Sequence, residues 1–322
     1  MDYISGWCKS QRRLDGYTVI ITGSNGGIGK ATASDLYSRG ARVIMACRNI
    51  EKAEKAKKEI IKENVCKAQM GSLAIEYLDL CSLKSIRSCA NRILEKEPNI
   101  NILINNAGVM MCPESKTEDG FEKQFGSNHL GHAYLTLLLL PRLIKSAPSR
   151  IIFVSSLLHC IYTENFDDIN YEGSSYSSLF AYACSKTANI VFAKALAMKL
   201  KEHNIHNVTT YSLHPGVVKT NINQYFDKTA FFLFNSIFNS IFTTCFWKTP
   251  RCGAQTSIYC AVDEDCAGES GLYYSDCAKA MESAYCRDEK RISKLWEITI
   301  KMLKLESFYS DGNIPVSDLD LY

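Results

Sequence analysis

The chain has 322 residues, of which 46% are hydrophobic and 22% are charged, and its formal net charge is +3. This is an ordinary globular composition, and it favours one large α/β domain over two small ones. The charge is too small to indicate a nucleic-acid-binding protein.

The cysteines and the N-terminal segment indicate the cellular compartment in which the protein works. The 14 cysteines are scattered without a C-x-x-C pair, and the chain is too long to need disulfide cross-links, so reduced thiols are expected. Residues 1–16 contain no apolar run, which argues against a signal peptide or a membrane anchor there. We therefore expect a protein that is not secreted. No cluster has zinc-ligand spacing, so no metal is expected.

The first strand leads into a glycine-rich turn. Residues 16–22 (GYTVIIT) are apolar and β-branched, which predicts a buried parallel strand. The run from Gly23 to Gly29 (GSNGGIG) follows, and then a helical stretch over 30–38. Gly23 permits the tight turn, Gly27 lets the backbone approach a pyrophosphate, and Gly29 lets the helix pack on the strand. The N–H groups of the helix N-terminus would bind the phosphates. The alternative is a glycine turn without a ligand.

The end of the second predicted strand, residues 41–47 (ARVIMAC), bears on the choice of cofactor. An NAD-binding protein places a carboxylate there for the ribose 2′-hydroxyl, whereas an arginine suits a 2′-phosphate. Here the positions are Cys47 and Arg48, and a guanidinium can bind phosphate in bidentate fashion. This predicts NADP(H). The alternative is that Arg48 merely opens the loop before the helix over 51–63.

Strands and helices alternate along most of the chain. Further strands are predicted over 74–80, 101–105, 150–154 and 208–213, and helices over 82–97, 121–145, 181–202, 253–262 and 289–304. This alternation predicts an α/β fold: a single Rossmann-type, doubly wound parallel sheet of about seven strands with helices on both faces. Ligands bind such a sheet beyond the carboxyl ends of its strands. Gly23, Arg48, Asp79 and Asn106 are all expected at that edge.

Tyr182 and Lys186 are four residues apart and share one face of a predicted helix. Free tyrosine titrates near ~10, and a neighbouring ammonium favours the phenolate, which lowers the pKa. The pair, assisted by an oxidised nicotinamide ring, is therefore a candidate acid–base catalyst. By itself the pattern occurs by chance in many helices. The apolar stripe of the same helix (Ile190, Ala193, Leu196, Ala197 and Leu200) is expected to pack on the sheet or on a neighbouring subunit.

Residues 231–247 (FFLFNSIFNSIFTTCFW) are uncharged, with apolar residues at helical spacing and polar residues opposite. The segment is too short and too polar on one side to span a bilayer. Three interpretations remain: a lid over a lipophilic substrate, an in-plane membrane contact, or a core or dimer helix. We expect one domain over 1–306, with a lid region at about 221–250, and a loose tail over 307–322.

Taken together, the motifs resemble the short-chain dehydrogenase/reductase superfamily over about residues 16–274. The matching motifs, in chain order, are TGSNGGIG (22–29), LDL around Asp79, NNAG (105–108), Asn128, Ser155-Ser156, YACSK (182–186) and HPG (214–216). MACRN (45–49), YACSKTANI (182–190) and YSLHPGVVKT (211–220) are similar to the NADP-dependent retinol dehydrogenase branch, as are GLYYSDC (271–277) and the closing helix around Trp296.

The resemblance implies roles for individual residues. Tyr182 would exchange the proton with the substrate oxygen, and Lys186 would hold the nicotinamide ribose and tune Tyr182. Ser156 would bind the substrate carbonyl, with Ser155 as the alternative if the strand ends one residue earlier. Asn128 would hold a water in a proton relay with Lys186.

The resemblance also implies a nucleotide site. Asp79 and Asn106 would line the adenosine side and Thr220 the nicotinamide carboxamide. The full implied set is Gly23, Ser24, Asn25, Gly27, Ile28, Gly29, Arg48, Asp79, Asn106, Ala107, Gly108, Tyr182, Lys186, Pro215, Gly216, Val218 and Thr220.

The implied activity is hydride transfer between NADP(H) and a lipophilic alcohol or carbonyl compound, with retinol and retinal as the leading pair. The alternatives are a steroid or xenobiotic carbonyl reductase and, in another class, a non-catalytic NADPH-binding scaffold. The expected location is the cytoplasm or the cytosolic face of the endoplasmic reticulum membrane, with a homodimer left open. Many relatives of the retinol type begin with an apolar anchor, and this N-terminus departs from that pattern.

Overall fold

A computed structural model describes residues 5–65, 69–218 and 248–309. Within these ranges eight strands form one sheet. They are β1 (Thr18–Thr22), β2 (Arg42–Cys47), β3 (Ser72–Tyr77), β4 (Ile102–Asn105), β5 (Ser149–Val154), β6 (Val208–His214), β7 (Leu272–Ser275) and β8 (Ala278–Lys279). Their spatial order is β3-β2-β1-β4-β5-β6-β7-β8.

The first seven strands pair in parallel, and the two-residue β8 pairs antiparallel with β7 at one edge. The predicted doubly wound sheet is therefore confirmed, with one short strand more than expected. β1 lies between β2 and β4, so the winding reverses there. The crevice beyond the carboxyl ends of β1 and β4 is where such sheets bind ligands.

Ten α-helical segments lie in the described part of the chain. They are α1 (Gly27–Ser38), α2 (Ile50–Glu63), α3 (Leu83–Lys96), α4 (Lys123–Phe125), α5 (Gly131–Lys145), α6 (Ser178–Glu202), α7 (Pro250–Gly253), α8 (Gln255–Val262), α9 (Glu289–Met302) and α10 (Glu306–Tyr309). One hydrophobic cluster joins the sheet to α3, α5, α6 and α9, and a second joins the other face to α1, α2 and α8. Because both faces are covered, β1, β4 and β5 are buried throughout.

Two predicted elements differ in detail. The helix expected over 121–145 is interrupted, because a π-helix from Gly126 to Leu130 separates α4 from α5. π-turns of this kind are frequent at functional sites, and this one contains Asn128. The strand expected over 74–80 ends at Tyr77, so that Asp79 lies in the following turn.

The apolar stripe of α6 is buried inside this chain. Ile190 and Leu196 belong to the cluster that includes the side chains of α9, and Phe192 stacks on Trp296 with ring centroids 5.5 Å apart. Side chains of the sheet and of α9 therefore both pack against the stripe.

The amphipathic segment at 231–247 lies outside the described residues, as does the lid region up to residue 247. Within the described ranges, none of the helices combines the length and hydropathy needed to cross a bilayer. The tail expected from residue 307 begins with a helical turn, since α10 continues to Tyr309.

Candidate active site

The turn between β1 and α1 has the geometry of a phosphate site. Gly23 adopts a φ of +67° and Gly27 a φ of +52°, which other residues rarely adopt. A side chain at Gly29 would meet Asn106 Nδ2 at 2.5 Å and Gly23 O at 2.6 Å. No side chain caps the N-terminus of α1 at Gly26. Its first N–H groups can therefore bind phosphate oxygens.

Ser24 and Asn106, two predicted cofactor residues, are held by the protein itself. Ser24 is fully buried, and its hydroxyl donates to Ile21 O at 3.1 Å. The side-chain amide of Asn106 donates to Thr22 O at 2.8 Å. Both side chains therefore shape the glycine turn, which leaves backbone groups to line the crevice.

Arg48 and Asp79, which follow β2 and β3, lie at the same edge of the sheet. Arg48 Nη1 is 4.0 Å from Asp79 Oδ1, and the side chain of Arg48 is 59% exposed. An ion pair this long and this exposed holds the guanidinium weakly. Asp79 itself caps its turn by accepting from Cys81 N at 2.9 Å. The Arg48 guanidinium is therefore free to bind an anion beside the β1–α1 turn.

The turn after β6 packs against the segment that begins at Lys248. Gly216 adopts a φ of +86°, and the Lys248 side chain occupies the space beside it. Val218 and Ile28 both contact Gly253, which brings the β6 turn up to the start of α1. Of the predicted carboxamide-side residues, Thr220 lies outside the described part of the chain.

Tyr182 and Lys186 lie near the start of α6 and are 5% and 3% exposed. Lys186 Nζ is 5.6 Å from the centroid of the Tyr182 ring, and it donates to Val154 O, at the end of β5, at 3.0 Å. Burial lowers the pKa of Lys186 to about 8. The amine therefore remains largely protonated at neutral pH.

In the protein by itself the pKa of Tyr182 lies above its ordinary value, and the acidic phenol expected beside an oxidised nicotinamide stays a prediction. Burial raises the pKa of Tyr182 to about 12, and only a hydrogen bond with Ser156 acts in the opposite direction. Desolvation disfavours the charged phenolate. The neutral phenol is therefore the resting form, and it can donate a proton.

The two serines at the end of β5 have different surroundings. The Ser155 hydroxyl is buried and donates to Lys186 O at 2.6 Å, so it anchors α6. Ser156 begins a 3₁₀ turn (Leu157–Ile161) and lies beside Tyr182. Of the two serines, it is therefore Ser156 whose hydroxyl lies beside the phenol of Tyr182.

The side chain of Asn128 is fully engaged with the protein. Its amide pairs with both backbone groups of Val109, at 2.8 and 2.9 Å, and donates to Ser185 Oγ at 3.0 Å. It thus ties the loop after β4 to α6. The backbone carbonyl of Asn128 is also engaged, since it accepts from His132 Nδ1.

The sequence reasoning missed His132. Its Nδ1 donates to Asn128 O at 2.9 Å, and its Nε2 accepts from Thr22 Oγ1 at 2.8 Å. The same Thr22 oxygen accepts the N–H groups of Asn106 and Ala107, both at 2.9 Å. Full burial lowers the pKa of His132 to about 3, so the ring is neutral. Its only sequence signal is its spacing of four residues from Asn128.

The comparisons with known proteins agree with this geometry. A family model described as short chain dehydrogenase matches residues 17–230. Retinol dehydrogenase 14 of Mus musculus is 46% identical over 297 residues, covering 90% of this chain and 86% of that protein. Retinol dehydrogenase 11 of Homo sapiens is 45% identical over 303 residues, covering 94% and 90%.

Solved structures show a similar fold. The crystal structure of an uncharacterized protein from Mycobacterium paratuberculosis has a TM-score of 0.72 at 30% identity and covers 93% of this chain and 98% of its own. A 3-oxoacyl (acyl-carrier-protein) reductase from Agrobacterium tumefaciens C58, solved with NADP bound, has a TM-score of 0.63 at 20% identity, covering 81% and 93%. At that identity the second likeness concerns the fold alone.

Proposed function

Because this chain belongs to the short chain dehydrogenase family and is an oxidoreductase, we propose that it transfers a hydride between NADP(H) and a lipophilic alcohol or carbonyl compound. Retinol and retinal are the leading pair, which the names of the relatives support. One observation carries the proposal. Ser156, Tyr182 and Lys186 converge at the end of β5, at the carboxyl edge of the sheet.

The residues at this edge fit a dinucleotide. The uncapped N-terminus of α1 and the positive φ of Gly23 and Gly27 suit a pyrophosphate. The exposed guanidinium of Arg48 suits a 2′-phosphate. When bound, the nicotinamide group supplies or accepts the hydride.

The side chains of Tyr182, Ser156 and Lys186 transfer the proton and orient the substrate. In the direction of reduction, the neutral phenol of Tyr182 donates its proton to the substrate oxygen, while Ser156 orients that oxygen. The cation of Lys186 stabilises the phenolate that remains. In the direction of oxidation the proton returns to Tyr182.

Tyr182→Phe tests this chemistry. With all-trans-retinal and NADPH, kcat should fall by about 10³-fold, the scale of general acid catalysis. NADPH affinity, measured by its fluorescence, should change little. Tyr37→Phe, in the buried face of α1, is the matched control and should keep full activity. Full activity of Tyr182→Phe would refute the proposed role.

Arg48→Ala tests the cofactor. The variant should raise KM for NADPH about tenfold and leave KM for NADH within twofold, because only NADPH carries the 2′-phosphate. Lys52→Ala, in the first turn of α2, controls for the loss of one positive charge nearby. An equal loss with both cofactors would argue against a contact with the 2′-phosphate.

A substrate panel separates the alternatives within this chemistry. All-trans-retinal, a medium-chain aldehyde and a 3-ketosteroid should be assayed with both cofactors. Higher kcat/KM on retinal supports the retinoid assignment, and higher kcat/KM on the steroid replaces it. Binding of NADPH without turnover on the whole panel would favour a scaffold.

We also propose that the protein works in a reducing compartment, either the cytoplasm or the cytosolic face of the endoplasmic reticulum. Twelve cysteines in the described residues are free thiols, and eight of these are buried. Fractionation of cells with a tagged chain, followed by protease protection of the membranes, checks this. A protected, lumenal chain would contradict it.

A further inference from the structure

The turn that carries Ser156 is an exposed element on which the proposed chemistry depends. Leu157, the next residue, is 57% exposed, so apolar packing of its side chain does little to fix the turn. Hydrogen bonds within the turn contribute to the position of the Ser156 hydroxyl, which accepts the N–H of Leu158 at 3.3 Å. The side chains of two histidines, His159 and His214, add further bonds to the turn.

His159 lies inside the turn and is 1% exposed. Its Nδ1 is 2.7 Å from Ser156 O, and its Nε2 is 3.2 Å from the backbone N of Ser283. A carbonyl can only accept and an N–H group can only donate. The ring must therefore be neutral, with its proton on Nδ1.

The contacts of His159 reach two other parts of the chain. Its carbonyl accepts from Thr187 Oγ1 at 3.2 Å, one residue after Lys186. Its ring packs against Tyr273 of β7, with ring centroids 5.1 Å apart. Through Ser283 the turn is also tied to the segment before α9. These contacts therefore fix the backbone of Ser156 relative to α6 and to the C-terminal region.

His214 binds the N–H of the same peptide group whose carbonyl contacts His159. It ends β6, and its Nδ1 accepts the N–H of Leu157 at 3.2 Å. This bond also requires an unprotonated nitrogen. Burial lowers the pKa of His214 to about 4 and that of His159 below its usual value, so both rings are neutral at physiological pH.

We propose that His159 and His214 are positioning residues that hold the peptide group between Ser156 and Leu157, one at its carbonyl and the other at its N–H, and so set the Ser156 hydroxyl against Tyr182. The inference rests on the proposed function, in which Ser156 orients the substrate oxygen. It gives a role in the reaction to two side chains that need not touch the substrate.

The His214 pair of variants isolates one hydrogen bond. His214→Leu removes the acceptor, whereas His214→Asn places an amide oxygen near the position of Nδ1. We expect kcat for the reduction of retinal to fall about tenfold in the first variant, within the ~100-fold that a 1 Å misplacement can cost. In the second it should stay within threefold of wild type. Equal activity of His214→Leu and wild type would overturn the role of His214.

His159→Phe keeps the ring packing and removes both bonds. We expect about a tenfold loss of kcat with NADPH affinity and melting temperature close to wild type. His203→Phe is the matched control, because the ring of His203 bonds Lys199 O within the last turn of α6. The kcat, the NADPH affinity and the melting temperature of that control should equal those of the wild type.

A double-mutant cycle separates positioning from general structural damage. In a Ser156→Ala background, adding His159→Phe or His214→Leu should change kcat by less than twofold, because the hydroxyl that they position is already gone. A loss that persists undiminished in that background would overturn the proposal. The cycle requires that the wild-type protein reduces retinal. An inactive wild type would therefore contradict the proposed function and not this inference.

Discussion

The two halves of the site are built in different ways. The nucleotide half uses backbone conformation in contiguous stretches, such as the positive φ at Gly23 and Gly27 and the open N-terminus of α1. The catalytic half uses buried side-chain hydrogen bonds between distant stretches. Asn128 reaches Ser185 across 57 residues, and Ser155 reaches Lys186 across 31.

This difference shows how each half responds to substitution. A side chain added in the nucleotide half changes the shape of the crevice and should act on cofactor affinity. A side chain removed in the catalytic half leaves the sheet intact, and it should act on kcat. Thr22 belongs to both halves, since its hydroxyl contacts the loop after β4 and also His132.

Lys186→Met should give the largest and most one-sided effect. We expect kcat to fall by about 10³-fold, since the phenolate loses its cation. The free energy of unfolding should rise by about 1–3 kcal/mol, because the variant removes a buried, desolvated amine. Val154 O keeps a donor, Asn189 Nδ2, at 3.3 Å. Urea unfolding at pH 7 measures the change, and a loss of stability would contradict this account.

Thr22→Val should affect both halves. The N–H groups of Asn106 and Ala107 would lose their acceptor, which should cost about 2–3 kcal/mol of stability. Both the NADPH Kd and kcat should worsen. Thr22→Ser keeps the hydroxyl and should therefore retain most of the stability, the NADPH affinity and the kcat of the wild type. An effect on only one of the two parameters would show that the halves are independent at this residue.

Gly29→Ala should act on the nucleotide half alone. Its methyl group would meet Gly23 O, a backbone atom, at 2.6 Å, so the turn must shift. We expect the NADPH Kd to rise about tenfold, with a smaller effect on kcat at saturating cofactor. Gly26→Ala is the control in the same turn, because no heavy atom lies within 4 Å of the added carbon and its φ is extended at −173°. Its melting temperature should stay near wild type.

The free energy of unfolding should fall gradually as the pH drops, because a histidine is buried in the catalytic half. The pKa of His129 is lowered to about 3 by full burial, against about 6.5 in an unfolded chain. The unfolded state therefore binds more protons between pH 6.5 and 3, and stability falls as the pH drops through that window. One such group contributes roughly 1.4 kcal/mol per pH unit. The slope of unfolding energy between pH 6 and 5 should be smaller in His129→Leu, and an unchanged slope would contradict the assignment.

Much of this protein could be predicted from its sequence alone. The alternation of apolar runs with helical stretches determined the parallel sheet, and the glycine run determined the turn between β1 and α1, because these features depend on residues close together in the chain. The order of the motifs also led to the family, which the comparisons confirm. Local patterns suffice where the physical cause is backbone conformation or hydrophobic periodicity.

Only the tertiary structure decided the rest. It separated Ser155 from Ser156, showed that burial keeps Tyr182 protonated, and brought His132, His159 and His214 into contact with the site. The pKa of Tyr182 follows from its desolvation, and each histidine contact from a bond to a backbone atom that only folding brings near. Neither the depth of burial nor the partner of a hydrogen bond can be predicted from the spacing of residues along one helix.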